Sequence, residues 1–327
     1  MGIFRRNIAF VALLIVAGSA FSAKPYPEKI VKIVVGYPPG GTLDNPARAL
    51  AQELSRVSGQ TFIIENRPGA SANIAADLVA KSQPDGYTLL LSSSALASSP
   101  TLYKSLSYSA QTDFRHVGGF SSLPTLIVAR KDFPADDLAD AVALAKKSPG
   151  KYTFGSPGNG TGAHIAGEVL NKYAGTKINH IPFKGAAPAL QSIVGGHIDF
   201  MIAGLSTLEG AVKNKQVKVL AVTNAEPAPA LTSAPTIQHA LKGVAIPVEY
   251  QFSTWLGLSA PANTPEPVVK TLQDLMVQAL SSAKLKRDFT EMGVMPGFVP
   301  GPALAAQIEK ETQAYLRVVK DLGITAD

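Results

Sequence analysis

The chain has 327 residues, a formal net charge of +6 and no cysteine, and 46% of its residues are hydrophobic. The absence of cysteine excludes a disulfide framework, a thiolate metal site and a cysteine nucleophile. The lysines are scattered, whereas nucleic-acid binding requires a basic stripe with interleaved aromatic residues, so we expect no nucleic-acid partner. A mild positive field that attracts small anions fits this charge better.

The first segment has the three parts of a secretory signal. Arg5 and Arg6 form a charged region, residues 8–17 an apolar core, and small residues from Gly18 to Ala23 a cleavage site. We therefore expect a signal peptide over residues 1–23, a mature chain that begins between Phe21 and Lys24, and a periplasmic location. A retained N-terminal anchor is the alternative. Loss of the two arginines lowers the net charge from +6 to +4.

Short apolar runs then alternate with segments of helical period, which predicts an α/β fold with mostly parallel sheets flanked by helices. In chain order, the predicted strands are Ile30–Val35, Thr61–Glu65, Thr88–Ser92, Thr125–Val128, Tyr152–Phe154, Ile178–Ile181, Phe200–Ile202, Val217–Thr223 and Thr254–Leu258. Two long helical segments follow, and the last spans Pro302–Leu322.

Two glycine loops of the same layout lie 119 residues apart. G-Y-P-P-G-G-T begins at Gly36 and G-S-P-G-N-G-T at Gly155, and each lies between a predicted strand and a predicted helix. The strands after these helices are also nearly in register, which indicates one βαβ unit used twice. Because a glycine loop at a helix N-terminus presents backbone N–H groups and a partial positive charge, the pair predicts a cleft that holds a small acid from both sides.

The chain is expected to cross twice between two domains. A first crossing is predicted near residues 120–124 and a return in the Pro- and Ala-rich stretch 224–235. The predicted domains are residues 24–123 plus 228–327 and residues 124–227. Two crossings form a hinge beside a cleft, as in receptors that close around a ligand.

Eight motifs, in order along the chain, resemble those of one receptor family. They are P-P-G-G-T-L-D from Pro38, E-N-R-P-G-A from Glu65, P-D-G-Y-T-L-L from Pro84, S-P-G-N-G-T-G-A-H from Ser156, P-F-K-G from Pro182, G-G-H-I-D from Gly195, L-A-V-T-N from Leu220 and W-L-G-L-S-A-P-A-N-T-P from Trp255. The chain resembles the Bug-type receptors, the extracytoplasmic solute-binding proteins of tripartite tricarboxylate transporters. One departure is that Ser71 and Ala72 stand where such receptors commonly have glycines.

The resemblance implies a two-domain periplasmic binding protein of the Venus-flytrap type that binds a small organic acid, acts as a monomer, passes the acid to membrane permease subunits and carries out no catalysis. It implies neither cofactor nor metal. The ligand-binding residues it implies are Pro39, Gly40, Gly41, Thr42, Asp44, Ser92, Ser93, Ser94, Ser156, Gly158, Asn159, Gly160, Thr161, His164, Lys184 and Gly185.

Several of these residues also have a purely structural interpretation. Asp44 in a first helical turn complements the helix dipole, and Thr161 is a good N-cap. A lone histidine such as His164 is more often a hydrogen-bonded packing residue than a ligand contact. Lys184 could pair with a surface carboxylate as readily as with a bound acid.

Competing activities find little support in the motifs. The run from Gly158 to Ala163 matches the dinucleotide pattern G-x-G-x-x-A, but no acidic residue for a ribose follows about 20 residues later. The hydrolase elbow G-x-S-x-G is missing, and the five histidines lack metal-ligand spacing. An exported enzyme or a sensory adaptor that uses the same two-domain scaffold is the alternative to a transport receptor.

Overall fold

The structure is a computed structural model that describes residues 26–223, 234–244, 246 and 254–323. The predicted signal peptide, residues 1–23, lies outside the described residues. The described elements, in chain order, are β1 (Val31–Val35), α1 (Asp44–Ser58), β2 (Phe62–Asn66), a 3₁₀ turn (Ala70–Ala72), α2 (Asn73–Ala80), β3 (Thr88–Ser93), α3 (Ala95–Leu102), β4 (Phe114–Leu123), β5 (Thr125–Arg130), α4 (Leu138–Lys147), β6 (Thr153–Ser156), α5 (Gly162–Ala174), β7 (Asn179–Pro182), α6 (Ala186–Val194), β8 (Phe200–Gly204), α7 (Leu205–Lys213), β9 (Val217–Val222), α8 (Ile237–Ala240), β10 (Thr254–Pro261), α9 (Glu266–Ser281), α10 (Ala283–Glu291), β11 (Met295–Pro300) and α11 (Gly301–Leu322).

A six-stranded sheet of order β11-β4-β10-β3-β1-β2 organises what we call the first lobe. Strands β1 to β4 run in one direction and β10 and β11 in the other. Alternate strand residues point to opposite faces: Ile33 packs with α1, α9 and α10, whereas Val34 packs with α2 and α3. The sheet is therefore buried on both faces.

The second lobe is built on a five-stranded sheet of order β7-β6-β8-β5-β9. Here β6, β7, β8 and β9 run in one direction and β5 in the other. Helices α4 and α5 cover one face, and α6 and α7 cover the other. Both sheets are thus mixed but mostly parallel, and the predicted α/β class is confirmed.

The structure contains the predicted repeat and extends it. In each lobe a βαβαβ unit places its first strand in the middle, giving β2-β1-β3 in the first lobe and β7-β6-β8 in the second, with all four pairs parallel. The carboxyl ends of these six strands consequently lie at equivalent edges of the two sheets. This symmetry positions the site described below.

Two strands were not predicted, for different reasons. β4 contains Arg115 and the pair Gly118-Gly119, which breaks an alternating pattern. A Cβ on Gly118 would lie 2.7 Å from the carbonyl oxygen of Val299 in β11, so glycine is required by the close approach of the two strands. β11 contains two prolines, which are tolerated because β11 is an edge strand.

The chain crosses between the lobes at Pro124, which separates β4 from β5. The return predicted in residues 224–235 lies almost wholly outside the described residues, so the domain limits at 227 and 228 stay a prediction. The next described segment still packs on the second lobe, where α8 lies against β9 and α4. Helix α11 packs on α3 and β4 of the first lobe and on α5 of the second.

Candidate ligand-binding cleft

A cleft of about 530 Å³ lies between the lobes, at the carboxyl ends of β1, β2, β3, β6, β7 and β8. Residues from the junction between each of these strands and the helix that follows it line the cleft. In α/β sheets the carboxyl ends of parallel strands are the usual place for a ligand, because the loops there are free to differ in sequence while the sheet stays rigid. The repeat therefore builds a cleft with two similar walls.

Six helix N-termini converge on this cleft. The capping residues of α1, α2 and α3 line one wall and those of α5, α6 and α7 line the other; they are Leu43, Ala72, Ser94, Thr161, Gly185 and Gly204. Each N-terminus carries a partial positive charge on its unpaired N–H groups. Among the described residues that line the cleft, Lys184 is the single charged side chain, and it is exposed. The electrostatic character of the cleft is thus suited to an anion.

The two glycine loops are held by equivalent hydrogen bonds. The N–H of Gly40 donates to the carboxylate of Asp44 at 2.8 Å, and the N–H of Gly160 donates to Nδ1 of His164 at 3.1 Å. In both cases an acceptor in the first helical turn binds the amide four residues earlier. These two N–H groups already donate within the protein. The prediction that both glycine loops present free N–H groups to a ligand therefore does not apply to Gly40 and Gly160.

Other amides at the same N-termini remain open. Within the described part of the chain, no acceptor takes the N–H of Thr42 or Leu43 in the first lobe, or that of Gly162 or Ala163 in the second. All four residues line the cleft. A carboxylate between the lobes thus has backbone donors on both walls.

Asp44 is a structural acceptor rather than part of the cleft surface. Its buried carboxylate receives hydrogen bonds from the Gly40 N–H, from Arg48 and from the Asn66 side-chain amide. Burial alone would raise the pKa of Asp44, but these hydrogen bonds outweigh burial and hold the pKa below its ordinary value. A permanent negative charge at this point anchors the first glycine loop to β2 and α1.

His164 belongs to an aromatic stack behind the second glycine loop. Its ring lies 4.0 Å from that of His180, which in turn stacks at 4.8 Å on Phe154. Nε2 of His180 lies 2.7 Å from Oγ of Ser156. Burial lowers the pKa of His164 to about 4, and burial together with His164 lowers the pKa of His180 to about 3. Both rings are neutral at pH 7, which leaves Nδ1 of His164 able to accept from Gly160.

The loop between β2 and α2 carries three consecutive non-glycine residues in the left-handed region: Ala70, Ser71 and Ala72, with φ of 46°, 52° and 73°. Each such residue costs on the order of 1 to 3 kcal/mol and persists only where its surroundings hold it. Gly36 provides part of that support, since a Cβ there would lie 2.3 Å from the Cβ of Ala72. All four residues line the cleft.

Hydrogen bonds join the lobes at two places beside the cleft. At the first, the hydroxyls of Thr42 and Thr207 are bonded, and Ser206 donates to the Thr42 carbonyl at 3.5 Å. At the second, the Ser71 hydroxyl donates to the carbonyl of Asn159 at 3.1 Å. The structure therefore has the lobes in contact over the cleft.

Sequence reasoning placed sixteen residues in the site, and nine of them line the cleft: Gly41, Thr42, Ser94, Gly158, Asn159, Gly160, Thr161, Lys184 and Gly185. The other seven lie off its surface: Pro39, Gly40, Asp44, Ser92, Ser93, Ser156 and His164. Asp44, His164 and Ser156 form hydrogen bonds that hold the glycine loops. The Ser93 hydroxyl bonds to the Tyr37 hydroxyl and accepts from the N–H of Ala95, and Ser92 is buried. Pro39 and Gly40 are exposed at the tip of the first glycine loop. As direct ligand contacts these seven stay unsupported predictions.

Two segments of the lining were missed altogether. The β2–α2 loop contributes Pro68 to Ala72, and the carboxyl end of β8 contributes Ala203 and Gly204. The repeat itself was the signal for the first, because Lys184 and Gly185 on the β7–α6 loop have their counterparts in the β2–α2 loop of the other lobe. No sequence pattern marked the aromatic residues Tyr37, Tyr103 and Phe183 as part of the cleft lining.

A two-lobed α/β scaffold with helix N-termini facing an interlobe cleft defines a solute-binding receptor. Residues 46–324 match the model of the tripartite tricarboxylate transporter family receptor, so the chain belongs to that family. This confirms the resemblance drawn from the sequence motifs.

Solved structures agree with this assignment. The periplasmic binding protein BugD is 31% identical to this chain with a TM-score of 0.83, over 92% of this chain and 99% of BugD. Rpa4515 of R. palustris, solved with adipate, is 32% identical with a TM-score of 0.85, over 92% and 99% of the two chains. MatC of Rhodopseudomonas palustris, solved with malate, is 30% identical with a TM-score of 0.80, over 90% and 100%.

None of the described helices has both the length and the apolar character needed to span a membrane.

Proposed function

We propose that this receptor binds a small organic acid between its lobes and passes it to the permease subunits of a tripartite tricarboxylate-type transporter. The observation that carries the proposal is the convergence of six helix N-termini and one lysine on a cleft of about 530 Å³, with no Asp or Glu among the described residues that line it. Helix N-termini and lysine stabilise the negative charge of a carboxylate, whereas a neutral or cationic solute gains no such electrostatic stabilisation. The receptor acts in the periplasm and has no catalytic role.

Both walls carry open amides, which favours an acid with anionic groups at two ends. One carboxylate is received by the first turn of α5, where the N–H groups of Gly162 and Ala163 have no acceptor among the described residues, and the other by the loop that leads to α1. Tyr37, Tyr103 and Phe183 provide apolar contact for the carbon chain between them. The adipate and malate found in the two R. palustris relatives support this class of ligand, since both are dicarboxylates.

The experiment is a thermal-shift screen of mono-, di- and tricarboxylates, followed by calorimetry on those that shift the melting temperature. A ligand at a hundred times its Kd stabilises the folded state by about 2.7 kcal/mol, which raises the melting temperature of a chain of this size by several degrees. We expect adipate or a related dicarboxylate to do so.

The matched control in that screen is the uncharged diamide of each acid, such as adipamide. The diamide keeps the carbon chain and hydrogen-bonding groups but loses both negative charges, so we expect no comparable shift. Equal shifts by acid and diamide, or no shift by any acid, would contradict the proposed function.

A further inference from the structure

The strained loop between β2 and α2 reaches across the cleft through one side chain. Oγ of Ser71 donates to the carbonyl oxygen of Asn159 at 3.1 Å and accepts from Oη of Tyr103 at 3.1 Å. Ser71 and Tyr103 belong to the first lobe, whereas Asn159 lies in the second glycine loop of the second lobe. All three residues line the cleft.

The backbone conformation of this loop is what brings the hydroxyl to the other lobe. Ser71 is the middle residue of three in the left-handed region, with φ of 52°, a conformation that favours glycine. Ala72 is held against Gly36, where no Cβ fits, so the loop is packed onto the end of β1 rather than free. A glycine at position 71 would adopt this backbone with less strain, but it would lack the hydroxyl.

The hydroxyl is also oriented from its own lobe. Tyr103 follows the last turn of α3, and its Oη donates to Oγ of Ser71. Because this bond occupies a lone pair of Oγ, the Ser71 proton is oriented toward the carbonyl of Asn159. The bond is made to a backbone carbonyl of a loop whose next residues, Gly160 and Thr161, lead into the α5 N-terminus. A contact at Asn159 therefore fixes the position of the loop that presents the open amides.

We propose that Ser71 is a positioning residue that holds the lobes together over the bound ligand, with Tyr103 orienting its hydroxyl. The ligand-retention part of this inference rests on the proposed function. The bond to Asn159 stabilises the closed arrangement, and its loss shifts the chain toward an open one and lets a bound acid leave faster. The other interlobe contact, formed by Thr42, Ser206 and Thr207, does not include Ser71 and stays in place in its variants.

The test measures the interlobe distance in the ligand-free protein. The chain has no cysteine, so spin labels can be placed at Lys147→Cys on α4 and Lys286→Cys on α10, which are both exposed. A net hydrogen bond of about 1 kcal/mol corresponds to a roughly fivefold change in an equilibrium. We therefore expect Ser71→Ala to lower the ratio of closed to open chains about threefold to tenfold, and Tyr103→Phe to lower it by a smaller factor.

Two further variants separate the Ser71 hydroxyl from the backbone strain and from the loss of any hydroxyl in the first lobe. Ser71→Gly relieves the strain and also lacks the hydroxyl, so it is expected to open the lobes at least as much as Ser71→Ala. Thr101→Val removes a hydroxyl that bonds within α3 to the carbonyl of Ser98 and does not line the cleft, and it is expected to leave the distances unchanged. A parental distance distribution in Ser71→Ala, with circular dichroism showing the folded state, overturns the proposal.

Adipate serves as the probe for retention. We expect Ser71→Ala to release adipate about threefold to tenfold faster than the parent, whereas Thr101→Val releases it at a rate close to the parental rate. Equal release from Ser71→Ala and the parent also overturns the inference. If adipate does not bind the parent, that result counts against the proposed function, and the ligand-free distances alone decide the role of Ser71.

Discussion

At the scale of single residues, the second glycine loop depends on a histidine that stays neutral. His164 accepts from the Gly160 N–H only while Nδ1 carries no proton, and its ring is 7% exposed. Asp44 performs the same role in the first loop with a carboxylate whose pKa is held below its ordinary value. The two loops therefore share a geometry but differ in their response to acid.

This difference predicts a loss of stability in mild acid. The pKa of His164 is about 4 in the folded chain and about 6.5 in the unfolded chain. Between these pH values the unfolded chain binds a proton that the folded chain does not, so stability falls as pH decreases from 6.5 toward 4. We expect His164 to contribute a loss of about 2 to 3 kcal/mol between pH 7 and 4.5.

Urea unfolding of the parent and of His164→Gln at the two pH values measures this contribution. Glutamine does not titrate but keeps an acceptor for Gly160, so the variant should lose less stability on acidification than the parent. The same loss in both proteins would show that the folded state protonates His164 as readily as the unfolded state does. His116, with a pKa of about 4 from burial, is present in both proteins and cancels in the comparison. The part of the low pKa of His180 that His164 causes is lost in the variant, and this loss changes the measured difference in the same direction.

At the scale of elements, the helix α5 presents its first turn to the cleft. Gly162 begins the helix, its N–H is open, and a Cβ at this position would lie no closer than 3.7 Å to the Tyr315 hydroxyl. The position therefore has room for a side chain. It also tolerates an acidic one, because Asp in a first helical turn interacts favourably with the helix dipole.

Gly162→Asp is accordingly expected to keep or raise the stability of the chain and to weaken binding of the acid. The new carboxylate competes for the α5 amides and repels the ligand, and we expect at least a tenfold loss of affinity, about 1.4 kcal/mol. Calorimetry with the acid found in the screen measures it. Gly210→Asp on α7 is the control: it introduces the same charge in the same lobe at a position with open space and off the cleft surface. If folded Gly162→Asp binds the acid with the parental affinity, the N-terminus of α5 does not contact the ligand.

At the scale of the whole molecule, one of the buried clusters spans both lobes. This cluster includes Val79 of α2, Ile127 of β5, Val169 of α5 and Val318 of α11. Helix α11 connects these parts, since it packs on both lobes, and Lys172 of α5 also donates to the carbonyl of Asp321 near its end. Opening of the cleft must therefore occur without exposing this core.

We expect the lobes to unfold together in one cooperative transition. Separation of one lobe from the other would expose apolar residues of α11 to water, which costs about 25 cal/mol for each Å². Differential scanning calorimetry of the ligand-free chain should show one peak whose van't Hoff and calorimetric enthalpies agree. Two separate peaks, only one of which moves on addition of the ligand, would show that the lobes are independent.

The local sequence was sufficient for the α/β class, nine of the strands and the two glycine loops, because hydrophobic period and glycine spacing are properties of short segments. It was also sufficient for the family, since the eight motifs occur in order over residues 38–265 and the family model matches residues 46–324. Tertiary structure alone decided which groups face the cleft. Asp44 and His164 stand in the right motifs, yet each turns back to bind an amide of its own loop. Ser71 stands in a loop with no polar signature, yet it reaches a carbonyl 88 residues away. The direction of a side chain depends on backbone angles and on neighbours distant in sequence, and a linear pattern contains neither.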